Sequence, residues 1–475
     1  MPNYCSTRGF EAGTGFETVV MDGFAPDGGL YVPSRGELPE LSLQEIDSCR
    51  GKTYPEIFEA VTSRFIGGEI PPQLQAEFAE SAYSRDNFPK TEGGNTVPLI
   101  DAGGGVRLLN VSLGPTIAFK DMAMQPLARW MNHFLVERDD NAIILGATSG
   151  DTGSAAEAAF KGLPGVEIAI LSPEEGMSPF QRSQMAALSG GNVHNLAVED
   201  GFDEAQKMVI DANKILDLNA VNSINFGRVI AQIPYYFSAY LQAVEHTGQK
   251  VDFSIPTGNV GNLFACYMAK KMGLPIDKII VANNENDTMH RLIQTDVYDP
   301  RSERTRTSSP SMDINRPNNF ERLFYDLSGE DAEATTRFLA AGGRVPLSRF
   351  GIRPLAENGF ASARSTHADR LATIKSMYEE SGGQIIIDPH TADGVFAARK
   401  NQNGNPIIVP MTAGPEKFRA TIAEAIGEEN APREGLVLDD KEMDEAFTVI
   451  RSFDELLDYL KANTTVQPAM APAHA

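Results

Sequence analysis

The chain has 475 residues, 42% hydrophobic and 22% charged, which allows two to four domains around a large core and is not the composition of a disordered polymer. Its formal charge of -23, with no concentrated basic patch, argues against nucleic acid or an anionic membrane as a partner, so an anionic ligand must find its positive charge locally. Three scattered cysteines, Cys5, Cys49 and Cys266, and seven histidines with no pair at helical spacing make neither a disulfide framework nor a metal site, and point to a reducing compartment.

Met1 to Phe10 carries no long apolar core or basic leader, and no run approaches the length of a membrane span, so a soluble cytoplasmic protein is expected. The first unit is Ser6-Thr7-Arg8-Gly9 and Gly23 to Pro33, rich in turn formers around short strands, followed by helical periodicity around Tyr54 to Phe65 and Leu74 to Tyr83. An apolar run from Val106 to Val111 reads as a buried strand, Gly114-Pro115 breaks it, and Met122, Leu127, Trp130, Met131 and Phe134 recur at helical spacing. Lys120 therefore sits at a strand-to-helix junction, and Pro126, tolerated in a first turn or at a kink, keeps it at the helical N-terminus. The positive end of the helix and the apolar Phe119 and Met122 both disfavour an ammonium ion there. A neutral lysine is a nucleophile able to form a Schiff base with an aldehyde such as pyridoxal phosphate, whereas a lysine merely snorkelling from a helix start is the alternative on spacing alone.

From Asn141 to about Val198, strand and helix alternate, as in a parallel sheet covered by helices. Its glycine-rich turn, Ala147-Thr148-Ser149-Gly150-Asp151-Thr152-Gly153, is expected to present several backbone N–H groups to a phosphate or carboxylate. Ser178 to Met185 begins a helix, Asn192 to Val198 is a strand, and His194 reads as a packed or surface residue. Asn222-Ser223, with Arg228 following, pairs short neutral donors with a planar cationic fork, a kit for gripping phosphate; a surface salt bridge is the alternative for Arg228. The strand Val251 to Ile255 leads into Pro256-Thr257-Gly258-Asn259-Val260-Gly261-Asn262 and another helix. With no Walker lysine and no dinucleotide fingerprint, this loop suits a small dianion at a helix N-terminus. From Asn286 to about Gly382 the alternation stops, and a mostly helical insertion with a mobile front loop is expected, its loop arginines read as solvated charges with a lid as the alternative. The sheet is expected to resume at Gln384 to Ile387, before Asp388-Pro389-His390-Thr391-Ala392, and to end with Pro406 to Pro410 before Met411-Thr412-Ala413-Gly414-Pro415-Glu416-Lys417-Phe418.

Gly114-Pro115-Thr116-Ile117-Ala118-Phe119-Lys120-Asp121 resembles the cofactor-lysine segment of the threonine synthases, pyridoxal-phosphate (PLP) enzymes of the fold that also holds tryptophan synthase β, cysteine synthase and threonine dehydratase. Ser6 to Gly9 and Gly23 to Pro33 are similar to the amino-terminal signature of the long-chain members, and matches extend from residue 6 to residue 418. The resemblance implies an α/β protein of PLP fold type II: two parallel-sheet α/β domains, an amino-terminal domain and a helical insertion. The corresponding division is 1–95 for the amino-terminal domain; 96–140, 221–285 and 383–463 for the large PLP domain; 141–220 for the small domain; 286–382 for the insertion; and 464–475 for a loose tail. It further implies Lys120 as the cofactor lysine and catalytic base, and Gly258, Asn259, Val260, Gly261 and Asn262 as the cradle of the cofactor phosphate. Thr412 would lie against the pyridine nitrogen, and Asp151 near the phenolic oxygen, where many relatives have asparagine. Two anions would repel there unless a proton lay between them. Thr148, Ser149, Gly150 and Thr152 would take the substrate carboxylate, and Asn222, Ser223 and Arg228 the substrate phosphate. The implied reaction turns O-phospho-L-homoserine and water into L-threonine and phosphate, with no metal and with monomer or homodimer left open. A serine or threonine dehydratase of the same fold, or a catalytically silent binder of phosphate or PLP, is the rival reading. His390 reads as a structural residue.

Overall fold

The computed structural model describes residues 2–11, 13–89, 91, 95–148, 150–174, 177–199, 201–216, 218–219, 221–433, 435 and 438–464. Two sheets organise it. Val251–Pro256, apolar apart from Asp252 and Ser254, and Ile407–Met411, apolar throughout, are buried along their whole length, as strands covered on both faces must be. They form the middle of a six-stranded sheet ordered Phe360–Arg364, Ile276–Asn283, Val251–Pro256, Ile407–Met411, Val106–Asn110 and Leu99–Asp101. All neighbours run parallel except the last pair. The second sheet is four-stranded and parallel, ordered Thr448–Ile450, Val193–Val198, Val166–Pro173 and Ala142–Ala147. The turns holding Lys120, Asp151, Gly258 and Thr412 all follow carboxyl ends of strands in these two sheets, the usual ligand edge of parallel α/β folds.

The amino-terminal segment pairs Tyr4–Ser6 antiparallel with Tyr31–Pro33 and adds the helices Tyr54–Ile66 and Pro72–Ala82. It shares one core with the cofactor-lysine helix, Asp121–Arg138: the Trp130 ring meets Phe16 at 5.2 Å and Phe58 at 5.9 Å. Pro126 falls in the second turn of that helix, where it denies the Met122 carbonyl its helical donor. The buried Tyr83 hydroxyl donates to that carbonyl instead, at 2.7 Å, so the helix continues without an orphaned acceptor. The helix Phe226–Ala243 is buried nearly all round, lying between Tyr54–Ile66, Asp121–Arg138 and Gly261–Lys271.

Three expectations need correction. Phe360–Arg364, assigned to the helical insertion, is an edge strand of the six-stranded sheet. Thr448–Ile450, assigned to the large domain, extends the small sheet; three residues at an edge carry no readable periodicity. Gln384 to Ile387 forms no strand, so the sheet does not resume there, and the segment leads directly into the helix Pro389–Lys400. The tail from 465 onward lies outside the described residues. Among those described, no helix is long and apolar enough to cross a membrane, and no group of three or more histidine, cysteine or acidic side chains is placed to hold a metal.

Candidate active site

Lys120 is the residue immediately before the helix Asp121–Arg138. The turn that presents it is wound around Asp121, whose carboxylate folds back to accept from Thr116 N at 2.9 Å, Thr116 Oγ1 at 2.6 Å and Ala118 N at 3.4 Å. A Cβ at Gly114 would stand 2.5 Å from the Asp121 side chain, so glycine is what admits the fold-back. Ile117 takes φ 48°, a left-handed conformation that a β-branched residue adopts only when its surroundings hold it. Those surroundings are Gly414 N, which donates to Ile117 O at 2.9 Å, and Thr412 O, which accepts from Phe119 N, also at 2.9 Å. Lys120 and Thr412 are thereby laced to each other through adjacent backbone. Burial pushes the Lys120 pKa down, Asp151 draws it back up, and Lys417 and Arg228 push it down again.

Asp151 opens the helix Asp151–Phe160 and is the hub of the site. Its Oδ2 lies 3.1 Å from Lys120 Nζ and accepts from Ser311 Oγ at 3.4 Å. Its Oδ1 accepts from Lys417 Nζ and from Gln181 Nε2, each at 2.9 Å. Burial alone raises this carboxyl, but the charges of Lys120 and Lys417, with the hydrogen bonds from Lys417 and Gln181, outweigh it and hold its pKa well below the usual carboxylate range. The turn before it differs from expectation. Gly150 N and Gly153 N donate to the buried Thr148 Oγ1 at 3.1 and 3.0 Å, so these two groups face the protein's own hydroxyl rather than a ligand. Thr152 is half-buried in the first helical turn, and Ser149 lies outside the described residues.

The third element is the turn between Val251–Pro256 and the helix Gly261–Lys271. Val260 sits at φ 65°, and a Cβ at Gly258 would come 2.7 Å from Ser311 O, so the loop has no room for a side chain there. The Asn262 side-chain oxygen accepts from the hydroxyls of both Tyr235 and Tyr236, which fixes the amide. Its buried Nδ2 has no partner among the described residues. An orphaned donor at a helix N-terminus with close-approach glycines suits a phosphate group. Together with a buried lysine, these residues fit an aldehyde that carries a phosphate.

Asn222 and Ser223 occupy the turn before the helix Phe226–Ala243, with Asn222 Oδ1 accepting from Ile224 N at 3.1 Å. Arg228, in the first turn, is buried. One of its terminal nitrogens donates to Val221 O at 3.1 Å, and its Nε has no partner among the described residues. Burial pushes its pKa down to about 10. Thr412 is buried after the last strand of the six-stranded sheet, and its N–H donates to Thr391 Oγ1 at 3.3 Å. His390 is held by Asp388, 2.8 Å from Nδ1, while Nε2 accepts from Ser311 N at 3.1 Å, which leaves the ring as a clamp on the 305–313 segment.

Five site residues were missed from sequence: Gln181, Ser311, Lys417, Asn319 and Arg322. Gln181 had a signal, since Ser178 and Gln181 form a capping box that fixes its position. Asn319 donates to Ser223 O at 3.0 Å and to Asn259 O at 3.1 Å, tying the two phosphate-type turns together. The fully buried Arg322 joins Tyr31 O and Ile224 O at 2.8 and 2.6 Å, linking the amino-terminal segment to the Asn222–Arg228 turn. The insertion's exposed arginines at 301, 304 and 306 take no part; its serine and asparagine do.

A family model described as pyridoxal-phosphate dependent enzyme matches residues 98–347, and one described as threonine synthase N terminus matches residues 3–83. Fold and site thus define a pyridoxal-phosphate-dependent enzyme of the fold type II class. The threonine synthase of Methylobacillus glycogenes is 40% identical over 444 residues, spanning 89% of this chain and 92% of that protein; the one from Corynebacterium glutamicum is 41% identical, spanning 90% and 91%. Among solved structures, PLP-bound threonine synthase from Brucella melitensis superposes with TM-score 0.87 at 37% identity, covering 98% of this chain and 100% of that one. The chain belongs to the threonine synthase family.

Proposed function

We propose that the substrate is O-phospho-L-homoserine, converted with water into L-threonine and phosphate, and that separate groups of residues hold the cofactor, move the proton and grip the leaving phosphate. Bound at Lys120, pyridoxal phosphate supplies an electron-withdrawing ring that acidifies the substrate Cα–H. Asn262 and the Gly258–Gly261 backbone would hold its phosphate, and Thr412 would offer the ring nitrogen a hydroxyl, which cannot fix a proton there as a carboxylate would. Lys120 Nζ would take the proton from the substrate Cα, and its basicity, lowered by burial, suits it to give that proton back. Arg228 with Ser223 and Asn222 grips the γ-phosphate and gains most as charge collects on the departing oxygen. The observation that carries this reading is Arg228: a buried guanidinium that has, among the described residues, no ion-pair partner and an unfilled Nε, standing outside the loop suited to the cofactor phosphate. A dehydratase working on serine or threonine has no second phosphate to place there.

The test is a product assay. Purified protein with pyridoxal phosphate should release threonine and inorganic phosphate from O-phospho-L-homoserine in equal amounts, and turn over serine and threonine far more slowly. Phosphate release without threonine, or faster deamination of serine than turnover of phosphohomoserine, would sink the reading.

A further inference from the structure

Lys417 comes from the short helical turn Pro415–Phe418 after the last strand of the large sheet, and its side chain is fully buried. Its ammonium lies 2.9 Å from Asp151 Oδ1, while that of Lys120 lies 3.1 Å from Oδ2. One buried carboxylate therefore holds two lysines. Among the described residues, Arg228, bonded to Val221 O, acts on Lys120, and Asp121, whose oxygens are turned to Thr116, feels Lys417. Gln181 and Ser311 add neutral donors.

The role of Lys417 rests on the reading that Lys120 carries the cofactor. In pyridoxal phosphate the aldehyde carbon and the phenolic oxygen occupy adjacent ring positions, so Asp151, 3.1 Å from Lys120 Nζ, would be within reach of that oxygen with the aldehyde bound at Lys120. With the cofactor bound at Lys120, the phenolic oxygen and Asp151 would stand as two anions around the one Lys120 nitrogen. Beside that nitrogen, the cation bonded to Asp151 among the described residues is Lys417. We propose that Lys417 is a positioning residue of the cofactor site, whose ammonium neutralises Asp151 in the cofactor-bound enzyme and lets a carboxylate stand beside the phenolic oxygen. An aspartate at residue 151 and a lysine at residue 417 are then two halves of one device, whereas an asparagine at 151 needs no such partner.

That dependence is what the experiment reads. Lys417→Met in the holoenzyme should weaken pyridoxal phosphate binding by about tenfold or more, measured by titration of the visible band of the lysine-bound cofactor. It should also raise the pH at which that band changes, because an unneutralised Asp151 favours the protonated nitrogen. Lys417→Arg should retain both properties. The decisive variant is Lys417→Met combined with Asp151→Asn, which should bind cofactor as Asp151→Asn alone does. Should the single variant fail to fold, the double variant still reports, since it lacks the unpaired carboxylate. Unchanged affinity and band in Lys417→Met, or a double variant weaker than Asp151→Asn alone by as much as the single is weaker than wild type, would overturn the proposal. A wild-type protein with no lysine-bound band would overturn the cofactor reading itself, which separates the two failures.

Discussion

Arg228→Met should move stability and activity in opposite directions. In the protein without ligands, burial lowers the guanidinium pKa to about 10. A drop of that size below the ordinary arginine value amounts to a cost of about 3 kcal/mol for holding the charge inside. The group is a base with its folded pKa depressed, so the cost is constant wherever it is protonated in both states, below about pH 10, and is relieved only as pH rises above that. Methionine removes the charge and also the bond to Val221 O, worth about 1 kcal/mol, so the ligand-free variant should be about 2 kcal/mol more stable at pH 7. Activity should fall. Truncating one partner of a buried charge pair costs roughly 2–5 kcal/mol, a drop of about 30- to 5,000-fold in kcat/KM for phosphohomoserine. Arg228→Lys should recover part of this, because a point charge cannot reproduce the fork. Urea unfolding of the ligand-free proteins and steady-state kinetics on phosphohomoserine, with slow serine deamination as the control, give the answer. A variant that is less stable and loses both activities equally would show that Arg228 supports the fold, and the phosphate role would have to be abandoned.

The lysine turn gives two further expected outcomes. Lys120→Ala should lose both the visible band of bound cofactor and the turnover of phosphohomoserine; a fully active alanine variant would end the assignment of Lys120. Asp121 is raised by burial to about 6 from 3.8, against the pull of Thr116 and Lys417, so the folded protein binds its proton more tightly than the unfolded chain. Stability contributed by this group should therefore fall by up to about 3 kcal/mol as pH rises from 4 to 6 and stay level above that. In urea unfolding across that range Asp121→Asn should lack this slope, and an unchanged pH profile in the variant would refute the buried titration.

Much of this molecule is written locally. Strand–helix alternation from Asn141 to Val198 marked the four-stranded sheet, and apolar runs marked Val106–Asn110, Val251–Pro256 and Ile407–Met411 of the larger one, while the two-sheet arrangement came from family likeness; Gly114 to Asp121, the turn at Gly258 to Asn262 and Thr412 each drew attention through residue chemistry and family likeness within a few neighbouring positions. Local sequence also placed Lys120 at the start of its helix, since Gly114-Pro115 and Pro126 leave the chain little choice. Tertiary structure alone decided what those groups touch. That Asp151 meets Lys417 across 266 positions, or that Arg322 reaches back to Tyr31 across 291, depends on which strands lie side by side, and no periodicity encodes it. The same holds for the short strands Phe360–Arg364 and Thr448–Ile450, whose place is set by the open edges they cover. It holds for the turn at Thr148 as well, where N–H groups expected to await a ligand are taken by a hydroxyl from the turn itself. A residue's type limits what it can bond, but burial and the company of distant side chains determine its charge, and those exist only once the chain has folded.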